Sequence, residues 1–371
     1  MRLLKLLHWL LLTLAITAPS IPTTLSAAVS PIAIDSVEMQ DYRRIWGSPS
    51  GCFYFLKQSS FEVRQFAQNK TVAQTLNSNQ KLISSDKGNY FAQLTYSSFS
   101  PTSLRVTEIR VYSCTGQMIW GLRDPGCSSF ILSDESSIAV GIAGAEGFPE
   151  SSLLFFGTSG IQVGSARVDN FSSGRFSEDG EFFFAISSGK GLIKFTTSGK
   201  EVFRYSDCNR YSVSRDGELV AIYKDSLVNI YREQTLLTTR KIPELAVRDV
   251  RFSSDDRFVA ILLTRRLQLF DLDSSRLVWE YALPESGYQF FHFDSDSSFT
   301  YFACSTNNSA DAPERRNTLG QALLIDANGI PVWQTELSYA EWSVKYPEVK
   351  IDLPARILTL LTAERFRIYS F

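Results

Sequence analysis

Histidine is all but missing. The 371 residues hold two, His8 and His292. A Ser-His-Asp or Cys-His nucleophilic site needs a base and a partner that orients it. A metal site built on several imidazoles needs more than one ring. Multi-histidine metal chemistry is therefore excluded, and no catalytic residue or metal ligand is assigned. Cysteine is sparse as well: Cys52, Cys114, Cys127, Cys208 and Cys304, with no Cys-x-x-Cys pair. The odd count leaves at least one thiol. Cys114 and Cys127 stand at opposite ends of one strand, beyond the reach of a disulfide, and most of the five read as small buried residues. Neither sign of charge dominates. The net charge is −2, and removing Arg2 and Lys5 takes it to about −4, a balance that argues against nucleic-acid binding. No Pro-, Gly- or Ser-rich linker divides the chain.

The first 28 residues read as a secretory signal. Arg2 and Lys5 form a positive start, Leu6 to Ala18 is mostly apolar, and Ser26-Ala27-Ala28 fits a small-residue cleavage site. No later stretch is apolar enough to cross a bilayer. The expectation is export to the periplasm or the extracellular space, with residues 29–371 as a single domain.

That domain is organised around one unit, plainest from Gly174 to Tyr205. Arg175-Phe176-Ser177 ends a strand. Glu178-Asp179-Gly180-Glu181 is a tight turn, since Asp tolerates and Gly supplies positive φ. Phe182 to Ile186 is a fully apolar strand, Leu192 to Phe195 a third, and Val202 to Tyr205 a fourth. The unit has no helical periodicity. Ser50, Asp86, Glu135, Asp179, Asp216, Asp255, Asp296 and Asp352 match at the first turn. Phe66, Tyr112, Phe156, Phe195, Tyr231, Phe270, Ile325 and Tyr369 match at the end of the third strand. Trp120, Phe203, Trp279 and Trp333 match in the fourth. Eight copies of about 40 residues, four strands each, predict an all-β propeller of antiparallel blades. Eight blades are expected, with seven as the alternative. The last copy lacks a fourth strand, and Ala33 to Glu38 is expected to supply it and close the ring.

The stretches FSEDGEFFFAI, VSRDGELVAIY and FSSDDRFVAIL resemble repeats of WD40-like and TolB-type propellers. SSRLVWEY and ANGIPVWQT resemble the ends of quinoprotein-type repeats. The resemblance covers roughly residues 42 to 371 and implies a fold, because propellers host unrelated activities. The strict WD40 Gly-His and Trp-Asp signatures are absent.

Function then rests on loops and on the channel. The connections at Tyr96–Leu104, Ala145–Ser152 and Ser305–Gln321 are longer than closure requires and join the same pair of strands. The longest holds Asp311, Glu314, Arg315 and Arg316, and the two guanidinium forks suit carboxylate or phosphate. Arg175, Arg251, Ser212 and His292 hold equivalent places before the first turn, which makes the central channel the second candidate. Asp271-Leu272-Asp273 and Asp294-Ser295-Asp296 lack the glycine and terminal acid of a calcium loop and read as turn chemistry. The expected function is a non-enzymatic, monomeric binding module or scaffold without a cofactor, its partner another protein or an envelope component. The alternatives are a quinoprotein-like propeller enzyme and an assembly factor resembling the propeller subunit of the outer-membrane barrel-insertion machinery.

Overall fold

A computed structural model describes residues 32–370 apart from 39–43, 48–51, 66–69, 98–104, 136–137, 144–150, 189, 207, 209, 243–245, 265, 284–287, 296–299, 307–319, 338–347, 353–355 and 363–364. The signal-like segment and the loop residues Asp311, Glu314, Arg315 and Arg316 lie outside the described residues. Within them every regular element is a strand. The strands form eight four-stranded antiparallel sheets. Seven are made of strands consecutive in sequence, beginning with 44–75 as the first blade and ending with 288–337 as the seventh. In the eighth, Glu348–Asp352, Ile357–Leu361 and Arg365–Ser370 are joined by Ile32–Glu38, which pairs antiparallel along Arg365–Ser370. The N-terminal strand closes the ring as the repeat required.

One irregularity recurs where the aromatic anchors fall. The outermost pairing shifts register at Tyr112, Phe156, Phe195, Tyr231, Phe270 and Ile325. In the eighth blade the shift falls between Ala33 and Asp35, opposite Tyr369 and Ile368. A bulge adds one residue to one strand and sharpens its twist. The repeat was therefore visible at these anchors because each marks the same bulge.

Blade packing seals the ring. Each successive pair of blades shares one apolar cluster. The last of these joins Leu361, Phe366 and Ile368 of the eighth blade to Ile45, Phe53 and Phe55 of the first. Phe366 stands 4.7 Å from the Phe53 ring and 5.7 Å from that of Phe55. Each fully buried ring of this size contributes roughly 1.5–3 kcal/mol. At the rim, the Trp279 indole donates to the Ala327 carbonyl of the next blade at 2.7 Å. Gly329 permits this approach, since a Cβ there would lie 3.0 Å from the indole.

The first turns are held by a serine and an aspartate. Ser177 Oγ donates to Asp179 Oδ1 at 2.6 Å, and the Glu181 amide donates to the same oxygen at 3.0 Å. Ser214 with Asp216 and Ser253 with Asp255 repeat the pattern. Two alignments need correction. In the second blade Gly88 donates to Ser85 as Gly180 does to Ser177, so Lys87 holds the place of Asp179 and Asp86 stands one residue earlier. In the eighth, Asp352 ends its strand opposite Ile357 and occupies the place of Ser177. These bonds make the aspartates structural. Asp179→Ala and Asp216→Ala are each expected to cost about 1 kcal/mol in urea unfolding. A cost of several kcal/mol would point to a role beyond the turn.

Candidate functional site

The ladders define one row of inner-strand residues. Arg175 pairs with Phe184, Phe184 with Lys194, and Lys194 with Phe203, next to the bulge. Counting inward from each bulge gives Ile83, Ile131, Arg175, Ser212, Arg251, His292 and Lys350 for the second to eighth blades. The equivalence of Arg175, Ser212, Arg251 and His292 expected from the repeat holds in register. Lys350 is an addition that the misplaced Asp352 anchor concealed. Basic residue types thus occupy four of the five places from the fourth to the eighth blade, and isoleucine those of the second and third. His292 is placed by its backbone alone.

The basic side is tied to aromatic and acidic groups. Arg251 Nε donates to Asp249 Oδ2 at 3.0 Å, and the Tyr223 hydroxyl donates to Asp249 Oδ1 at 3.2 Å. Arg210 reaches across to the Arg248 carbonyl at 3.3 Å. Burial works against the charge of Arg251, but Asp249 outweighs it and holds the guanidinium protonated. Burial pushes the hydroxyls of Tyr211 and Tyr223 well above the ordinary phenol range, so both are neutral donors at any physiological pH. Arg175 stands close enough to Tyr211 to oppose that rise, and Asp86 acts on both Tyr211 and Arg251. Asp86 of the second blade, Arg175 of the fourth, Tyr211 of the fifth and Arg251 of the sixth are therefore linked by electrostatic contacts across the blades. Lys87 of the second blade and Glu178 of the fourth also meet, at 2.9 Å.

Arg175 is the residue left incomplete. Its Nε is buried and has no hydrogen-bond partner among the described residues. A buried charged donor without an acceptor is costly, and a carboxylate or phosphate oxygen would satisfy it. Arg251 spends its Nε on Asp249 yet keeps 42% of its side-chain surface open. The site can thus take an anion by hydrogen bonding and charge. Among the described residues no group of three or more His, Cys, Asp and Glu side chains could hold a metal ion.

The inner-strand arginines and the strand ends that flank the long connection lie at opposite ends of the sheets. Arg175 and Arg251 are the penultimate residues of their strands, beside the first turns. The connection containing Arg315 and Arg316 joins Thr300–Thr306 to Gly320–Asp326, which places its ends at the other edge.

No known family matches the chain, and no curated protein does. Solved structures do match. BamB from Moraxella catarrhalis aligns over 92% of this chain and 100% of its own, with a TM-score of 0.57 and 10% identity. The C-terminal WD40 domain of Sif2 aligns over 92% and 98%, with a TM-score of 0.58 and 9% identity. Saccharomyces cerevisiae Sqt1 aligns over 92% and 99%, with a TM-score of 0.57 and 12% identity. At such identities the likeness is one of fold. The chain is a β-propeller, similar in fold to these structures.

Proposed function

We propose that the chain is an exported, non-enzymatic binding propeller that takes an acidic protein segment at the channel mouth beside Arg175 and Arg251. The observation that carries the reading is the row of basic residue types on the inner strands of the fourth to eighth blades, with the unpaired Nε of Arg175 within it. An acidic segment supplies several carboxylates on a flexible chain, which suits charges spread over several blades. The signal-like start supports work in the periplasm or outside the cell. The long connection with Arg315 and Arg316 is the rival site. A second reading, a part in outer-membrane protein assembly, draws support from the likeness of fold to BamB.

The probe is a fluorescent poly-glutamate peptide, followed by anisotropy with the full chain. Arg175→Glu with Arg251→Glu is expected to weaken binding at least tenfold, and added salt to weaken it in the wild type. Replacing 307–317 with a short Gly-Ser turn is expected to leave affinity unchanged. The reverse pattern moves the site to the loop. An absence of binding to the wild-type protein removes the acidic-segment reading.

A further inference from the structure

Cys52 and Cys114 lie far apart in sequence and on different blades, yet one turn holds both. Cys52 immediately precedes the second strand of the first blade, Phe53–Leu56. Cys114 follows the third strand of the second blade, Val106–Ser113. Between them lies the second blade's own first turn, Ser85 to Tyr90. The Cys52 carbonyl presses on Gly88 so closely that a Cβ there would stand 2.4 Å from it. The Cys114 amide donates to the Asn89 carbonyl at 2.9 Å. Both cysteines belong to the apolar cluster between the two blades, with Tyr54, Phe61 and Phe91. Their side chains meet. A side-chain hydrogen bond shared with Cys114 favours the protonated Cys52 thiol and, followed by burial, pushes it far above its ordinary range.

We propose that Cys52 and Cys114 form a disulfide joining the first and second blades when the protein meets an oxidising compartment. Its formation in cells rests on the exported part of the function proposed above, since disulfides persist outside the reducing cytosol. The contact itself does not. Among the described residues Cys127 and Cys208 have no such neighbour: each thiol is buried against a backbone carbonyl, that of Pro125 and that of Arg210.

The oxidant is a low-molecular-weight disulfide or a disulfide-bearing oxidoreductase. Cys114 is partly exposed and Cys52 fully buried, so Cys114 reacts first. Its thiolate attacks one sulfur of the oxidant, forms a mixed disulfide and expels one thiolate. Cys52 then gives up its proton and attacks the Cys114 sulfur, which expels the second thiolate. The two cysteines lose two protons and two electrons, and the oxidant leaves as two thiols. The high pKa of Cys52 makes the second step the slow one.

The test uses the purified full chain, incubated with oxidised glutathione, then unfolded, alkylated and mapped by mass spectrometry. The expected result is one cross-linked peptide pair containing Cys52 and Cys114. The melting temperature is expected to rise over that of the reduced protein by several degrees, a rise absent from Cys114→Ser. Alkylation of all five thiols, or a bond between any other pair, overturns the proposal, and the wild-type map decides this even if the variant folds poorly. Protein recovered from cells with its thiols trapped at lysis separates the two readings. A pair that links in the tube and is reduced in cells counts against export and leaves the disulfide geometry standing.

Discussion

Deleting Ile32–Glu38 is expected to lower the melting temperature by about 7 °C. The strand pairs with Arg365–Ser370 at six positions, from Ile32 opposite Ser370 to Glu38 opposite Arg365. Backbone hydrogen bonds contribute about 1 kcal/mol each, which gives roughly 5 kcal/mol for the ladder. Unfolding entropy for a domain of this length is about 0.7 kcal/mol per degree, so that loss converts to about 7 °C. A second effect accompanies the first. Arg365–Ser370 becomes an exposed edge with unpaired backbone groups, a template for pairing with another chain. The shortened protein is therefore expected to self-associate in size-exclusion chromatography and to elute earlier than the intact protein. An unchanged melting temperature would mean that the segment leaves its sheet without consequence, and the ring would need another explanation for its closure.

The closing strand was legible because it carries no special chemistry. It needed only an extended segment before the first blade and a last blade one strand short. The aromatic anchors were legible for a related reason: Tyr112, Phe195 and Phe270 sit at a bulge that the fold repeats. The first-turn anchors were less secure. A serine and a residue of positive φ define that turn, and the position between them accepts aspartate, lysine or glutamate. Asp86 therefore drew the alignment one residue off, and Asp352 drew it two residues off. That second slip concealed Lys350.

Contacts between blades were not legible at all. The meeting of Cys52 with Cys114 runs through a turn that belongs to neither strand. Lys194 is a similar case. In sequence it sits within an apolar third strand, yet it is 4% exposed. Its Nζ donates to the Gly217 carbonyl at 2.8 Å and lies 3.6 Å from the Phe182 ring centroid. Burial lowers its pKa while Glu218 and Asp216 act against that fall. The ammonium ties the fourth blade to the first turn of the fifth, a role that no period-two pattern reveals.

Asp256 is expected to make the protein less stable as pH rises from 4 to 7. It occupies the place held by Gly180 and Gly217 in the preceding blades, with φ of 58° where they have 75° and 72°. A Cβ at Gly217 would face Ser177 and Phe182 of the preceding blade, and at Asp256 the charges of Asp216 and Glu218 of the preceding blade act on the carboxyl. Its Oδ1 is buried without a hydrogen-bond partner among the described residues. Burial first, then the charges of Asp216, Asp255 and Glu218, push its carboxyl up to about 7, against the opposing pull of Arg232. In the unfolded chain the same group titrates near an ordinary carboxyl, about 4. Between these values the folded state holds a proton that the unfolded state has released. The contribution is thus fully present below about pH 4 and is lost as pH rises through 7. Three units correspond to about 4 kcal/mol, and partial solvent access reduces the expected loss to about 2 kcal/mol. Asp256→Asn keeps a side chain that tolerates positive φ and removes the ionisation. Urea unfolding of both proteins at several values between pH 4.5 and 8 reads the difference. The wild type is expected to fall relative to the variant by about 2 kcal/mol across that range. Parallel profiles would show that Asp256 reaches water freely, and the strain at this turn would then be conformational alone.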